Sequence, residues 1–197
     1  NFLWYATLNI PASKIASYLD TDYVDVKVEF TIRNTLFSNP ETYLRIFRQP
    51  QAVPSLTDWY RGDTHLHSIY TQNTAEQGLD LSATKVVAKM TGLDWIISTD
   101  HTSDFDNYAS GNINTNWARL GNEIVSLNNT DASMLYIRGQ EVALKNSVGE
   151  LVHFLGYPSY NNPTTGNFLG DGDGDVTPTG VTVDDALAIL YANNGFA

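Results

Sequence analysis

From residue 56 onward, short apolar runs alternate with stretches of helical period. "LTDWYRGDTHLH" reads as a strand, and "LSATKVVAKMTG" as a helix with Ser82 as its N-cap and Gly92 as its stop. "DWIIS" reads as a short buried strand. "NTNWARLGNEIVSL" returns to the helical period, with Trp117, Leu120, Ile124 and Leu127 on one stripe. "MLYIRGQEVAL" and "LVHFLGY" are two further strand candidates. "TVDDALAILYANNG" reads as a helix opened by a capping box of Thr182 and Asp185. Strand, helix, strand, helix at this spacing leaves few choices: the predicted fold class is α/β, with βα units forming a parallel sheet or barrel.

The chain before this point has a different period. In "YVDVKVEFTIR", Val24, Val26, Val28, Phe30 and Ile32 fall on one face, and Asp25, Lys27, Glu29 and Thr31 on the other. "FLWYATLNI" and "TYLRIF" are two more strand candidates, and "QPQAVPS" reads as a linker because its two prolines resist helix and ladder alike. The expected organisation is a small antiparallel β subdomain over residues 1–57 and an α/β domain over 58–197.

Composition removes several functions. The net charge of −11 argues against a broad nucleic-acid surface, which needs clustered Lys and Arg. No run approaches the ~20 apolar residues of a membrane span. Cysteine is absent, so there is no disulfide, no thiolate nucleophile and no Cys-ligated metal. A metal site here must be built from His, Asp and Glu. Richness in Asn, Thr and Gly with little Lys suits a secreted or periplasmic protein.

The chain has four histidines: His65, His67, His101 and His153. All fall within predicted strands or at their C-terminal ends, where parallel α/β folds place their sites. His65 and His67 should share one strand face by the two-residue period. His153 should point with Leu151 and Leu155, as a buried neutral imidazole suited to metal ligation. Taken singly, the structural readings are the stronger: His153 as a core residue, His101 as a turn cap, Glu141 as half of an ordinary ion pair. Taken jointly, every histidine of the chain gathered on strand ends of one α/β segment argues for a metal site.

"GDTHLHS", "GLDWIISTDH", "GQEV" and "HFLGY", in this order and at these separations, resemble the polymerase and histidinol phosphatase (PHP) superfamily. The resemblance covers residues 58–197. The β-rich segment ahead of "WYRGD" is similar to a secreted subgroup related to carbaryl hydrolase. The resemblance implies a distorted barrel of about seven βα units, with two or three divalent metal ions (Zn, Mn or Fe) at its mouth. It implies His65 and His67 as ligands of a first metal, Glu141 as a bridge to a second, His153 on the second, and His101 toward a third. It makes Asp63 and Asp100 supporting carboxylates that orient imidazoles.

Two departures from the family pattern stand out. The usual Ser-Asp-Gly after the histidine pair is replaced by Thr71-Gln72-Asn73, so the third metal lacks its usual carboxylate. The family also continues with a strand bearing His-Pro and later an Asp-x-His, and this chain reads as a fragment ending before both. A run of Asp171, Asp173 and Asp175 begins like a calcium loop, but Val176 and Thr182 occupy the positions that need Gly and Glu, which favours a solvated acidic turn. The expected function is metal-dependent hydrolysis of a small-molecule ester, a phosphate ester first and a carboxylic or carbamate ester second. The rival expectation is a non-catalytic extracellular scaffold that keeps part of the metal site.

Overall fold

The computed structural model describes residues 8–15, 23–29, 41–47, 54–73, 75–105, 112–157, 169–170 and 182–197. The acidic run at Asp171, Asp173 and Asp175 lies outside them, as do Phe30, Thr31, Ile32 and most of the linker. The chain divides into two compact units, Asn1–Pro54 and Ser55–Ala197. No helix among the described residues is long and apolar enough to cross a membrane.

In the first unit, a single turn of helix α1 (Ala12–Ile15) precedes two strands, β1 (Tyr23–Glu29) and β2 (Glu41–Phe47). They pair antiparallel, from Tyr23 opposite Phe47 to Glu29 opposite Glu41. Val24, Val26 and Val28 are half-buried while their neighbours are exposed, as the alternation requires. Of the predicted strand "FLWYATLNI", only Leu8, Asn9 and Ile10 are described, and they are not in a strand.

The second unit is mixed α/β. Strands β3 (Gly62–Leu66), β4 (Trp95–Ser98) and β5 (Leu135–Arg138) form a parallel sheet in that order. The connections are α2 (Leu81–Met90) between β3 and β4, and α3 (Ile113–Thr130) between β4 and β5. Then β6 (Gln140–Lys145) and β7 (Leu151–Gly156) pair antiparallel, and α4 (Val183–Ala192) closes the described chain. Among the described residues the strands lie in these small sheets, and no closed barrel is formed.

Three local expectations need correction. The first strand begins at Gly62 rather than Leu56, because Asp58 turns the chain with a positive φ of 65° and Trp59 bonds back to Leu56. The N-cap of α2 is Asp80, whose carboxylate accepts from the Ser82 and Ala83 amides; Ser82 sits inside the first turn. The single strand expected over "MLYIRGQEVAL" breaks at Gly139 into β5 and β6, which belong to different sheets. A side chain at Gly139 would meet Ile97 Cγ2 at 2.8 Å, so the chain can press against β4 there and change partners.

The predicted helix ends are otherwise present. Gly92, with φ of 81°, receives the end of α2: its amide bonds Lys89, and the Leu93 amide bonds Ala88. This is the Schellman pattern, and Leu93 packs on the same core as Ala88. Thr182 and Asp185 form the reciprocal capping box of α4. The larger core lies between the parallel sheet and its helices: Trp117, Leu120 and Ile124 from α3 meet Leu81 and Ala88 from α2, with Ile96 and Tyr136 from the strands. A smaller core joins Val142 and Leu144 of β6 to Ala186 and Leu190 of α4 and to Leu169.

Candidate metal centre

The site forms where three backbone segments end side by side. The Thr99 amide bonds Leu66 at the end of β3. The Gly139 and Glu141 amides bond Ser98 and Asp100 at the end of β4. These bonds put the end of β3, the Asp100–His101 corner and the start of β6 in one row. His65 and His67, two apart, both reach Glu141 Oε2, at 2.8 Å and 3.5 Å from Nε2. Glu141 Oε1 meets His153 Nδ1 at 2.5 Å. That second contact follows from register: Glu141 pairs with Leu155 and Ala143 with His153, so Glu141 and His153 are diagonal neighbours on one face of the β6–β7 pair.

The four imidazoles follow one another in a curved line, bent so that its two ends, His65 and His153, both reach Glu141. His65 and His67 have centroids 5.2 Å apart, His67 and His101 stack at 4.7 Å, and His101 and His153 stand edge-on at 5.6 Å. Glu141, only 3% exposed in its side chain, serves both ends of this line. Glu76 reaches the two middle rings: its Oε2 is 2.7 Å from His101 Nε2 and 3.8 Å from His67 Nε2. The donors therefore form three overlapping groups: His65, His67 and Glu141; His67, Glu76 and His101; and His101, Glu141 and His153. Within each group the ligand atoms lie within 4.8 Å of one another.

His67 is held in the tautomer a metal ligand needs. The Thr71 hydroxyl donates its one hydrogen to Asp100 Oδ1 at 3.0 Å. Its oxygen must then accept from its other neighbours, the His101 amide at 3.1 Å and His67 Nδ1 at 3.1 Å. The proton on His67 is thus assigned to Nδ1, and the Nε2 lone pair is turned toward Glu141 and Glu76. Burial pushes the His67 imidazole below its ordinary pKa, and the neighbouring His101 ring acts in the same direction, against the pull of Asp100, Glu141 and Glu76. Both effects keep the ring neutral, the form that binds metal. The hydrogen bond from His101 holds the Glu76 carboxyl below its usual range, where a ligand carboxylate belongs.

Asp100 is fully buried and gathers four donors: the Ser68 amide at 2.6 Å, Ser68 Oγ at 2.8 Å, Ser98 Oγ at 2.7 Å and Thr71 Oγ1. It fixes the turn after the histidine pair and acts on His67 through Thr71, not by direct contact. Asp63 differs from its expected role. It accepts from the His65 backbone amide at 3.0 Å rather than from an imidazole. His153 also differs: its side chain is 61% exposed, because the face of β7 that packs inward carries Phe154. Glu76 was not singled out in the sequence. It is the one glutamate between the histidine pair and His101, which was the available signal.

The imidazole nitrogens and carboxylate oxygens of these groups make a donor set that suits Zn²⁺, Mn²⁺ and Fe²⁺ alike. The buried Glu141 has histidines as its ion-pair partners. Comparison with family models, with curated proteins and with solved structures returns no match.

Proposed function

We propose that the protein is a metal-dependent hydrolase of the PHP type, acting on a small-molecule ester, with a phosphate ester as the first candidate. The observation that carries this reading is Glu141: one buried carboxylate whose two oxygens reach different histidines, Oε2 toward His65 and His67 and Oε1 toward His153. A carboxylate divided in this way suits a bridge between two cations. Divalent ions held there would lower the pKa of a water and take up charge developing on a phosphoryl or carboxyl oxygen.

The chain's own residues supply the rest. Asp100 and Thr71 keep His67 in its Nδ1-protonated form, so its lone pair is available without a conformational change. His65 and His153 are the exposed members of the line, and they leave one side of the cluster open to a substrate. The order of the motifs and their resemblance to the superfamily point to the same chemistry.

The test is hydrolysis of p-nitrophenyl phosphate by the purified protein loaded with Mn²⁺, Zn²⁺ or Fe²⁺, with p-nitrophenyl acetate as the comparison. Activity should vanish with chelator and return with metal. Glu141→Gln should lose both bound metal and turnover. Undiminished turnover in chelated protein whose metal content is near zero would overturn the reading.

A further inference from the structure

Resting on that reading, we propose that Glu76 is the carboxylate ligand on the His67–His101 side of the cluster, and that Asn73 is the residue that positions it. The described residues between Gln72 and Leu79 are tied down at several points. Asn73 Oδ1 accepts from the Ala75 amide at 2.9 Å and the Glu76 amide at 2.7 Å. Asn73 Nδ2 donates to Asp104 Oδ2 at 3.1 Å, and Asp104 is a buried residue on the turn that follows His101. Gln72 bridges Gln77, and Ser68 bridges Leu79. A Cβ at Gly78 would stand 2.2 Å from the His67 carbonyl oxygen, so the returning chain lies directly on the strand end that carries the histidine pair.

One amide side chain thus joins the two elements that supply the group, the loop of Glu76 and the turn beyond His101. Aspartate at position 73 would keep the acceptor but lose the donor to Asp104. Gln72 is turned away, with its Nε2 on the Ile69 carbonyl. The carboxylate that is absent from Thr71-Gln72-Asn73 is supplied a few residues later. A cation on this side is bound by two imidazoles and a carboxylate that is 51% exposed, whereas the other side has the buried Glu141. It should therefore be the last to load and the first to leave.

The experiment is metal analysis by mass spectrometry on the purified protein after equilibration with graded Mn²⁺, with circular dichroism as the check on folding. Glu76→Gln, at an exposed position, should fold and hold about one cation per chain fewer than the wild type. Asn73→Ala should weaken the loosest cation roughly 10–100-fold. In the Glu76→Gln background, Asn73→Ala should have no further effect on metal content, an interaction that a merely structural role would not produce. Unchanged metal content in Glu76→Gln sinks the Glu76 assignment and leaves the proposed hydrolase intact. A wild type that binds no metal at all sinks both.

Discussion

The structure contains two antiparallel strand pairs of similar length and opposite fate. In β1–β2 no residue is buried, and the exposed charges pair with one another: Asp25 with Arg45, Lys27 with Glu41. In β6–β7 the first strand is buried along most of its length, with Val142 and Leu144 packed against α4 and Leu169. Backbone pairing is equally regular in both. A two-stranded ribbon alone is marginal in water. Hydrogen-bonded register is therefore not what lets β6 carry a carboxylate at 3% exposure. Glu141 points to the face opposite Val142 and Leu144, so its cover comes from the adjoining Asp100–His101 corner and the histidines that reach it.

That contrast can be broken directly. Leu144→Ala in β6 removes a side chain with almost no exposure and should cost roughly 2–5 kcal/mol of stability. Leu44→Ala in β2, at an exposed position, should stay within about 0.5 kcal/mol. Urea titration of both variants checks this, and equal losses would erase the distinction. Next in size, Thr71→Val keeps the shape of the side chain but leaves His67 Nδ1 and the Asp100 oxygen without the hydroxyl between them. Metal affinity should fall roughly 10–100-fold, about 1.4–2.8 kcal/mol, with secondary structure unchanged.

Smaller again is the Asp25–Arg45 pair, bidentate at 2.7 Å and 2.8 Å but exposed on both sides. A double-mutant cycle with Asp25→Asn and Arg45→Met should give only a small coupling, which shrinks further in high salt. Acid should separate the two pairs without any mutation. His67 has a folded pKa below its ordinary 6.5, so the unfolded chain takes up this proton first. The metal-free second unit should then lose stability as pH falls below 6.5. Asp25 is also depressed, by its hydrogen bonds from Arg45, but from 3.8. Its contribution is present above 3.8 and disappears only as pH falls through the lower folded value. Hydrogen exchange near pH 6 should open the site strands before the ribbon responds.

What the sequence made legible was periodic. The two-residue period put His65 and His67 on one side, and both do reach Glu141. Of the helical stripe Trp117, Leu120, Ile124 and Leu127, the first three are buried and Leu127 packs partly buried on the same core, because a 3.6-residue period leaves little choice of inner face. The failures are where period carries no information. Gly139 is the local mark of the change of partner from β4 to β7, but a glycine inside a strand pattern equally marks a bulge or a close approach. His153 has leucines two residues to either side, yet Leu151 lies beside the turn of the hairpin and is itself exposed. Glu76 sits on a loop whose path is decided by the Asn73 side chain and the close approach at Gly78.

The break at Gly139 has a consequence for what the chain can tolerate. From Ser98 to Asp100 and from Gly139 to Glu141, the two segments advance in step, amide to carbonyl. Parity along those few peptides alone decides which side chain faces the histidines. One residue inserted between Arg138 and Glu141 would leave the hydrophobic pattern nearly intact and the strand still paired. It would, however, present a neighbour of Glu141 to the imidazoles. The site is thus as sensitive to the count of residues here as to the identity of Glu141, and a length change invisible to any measure of composition would silence it.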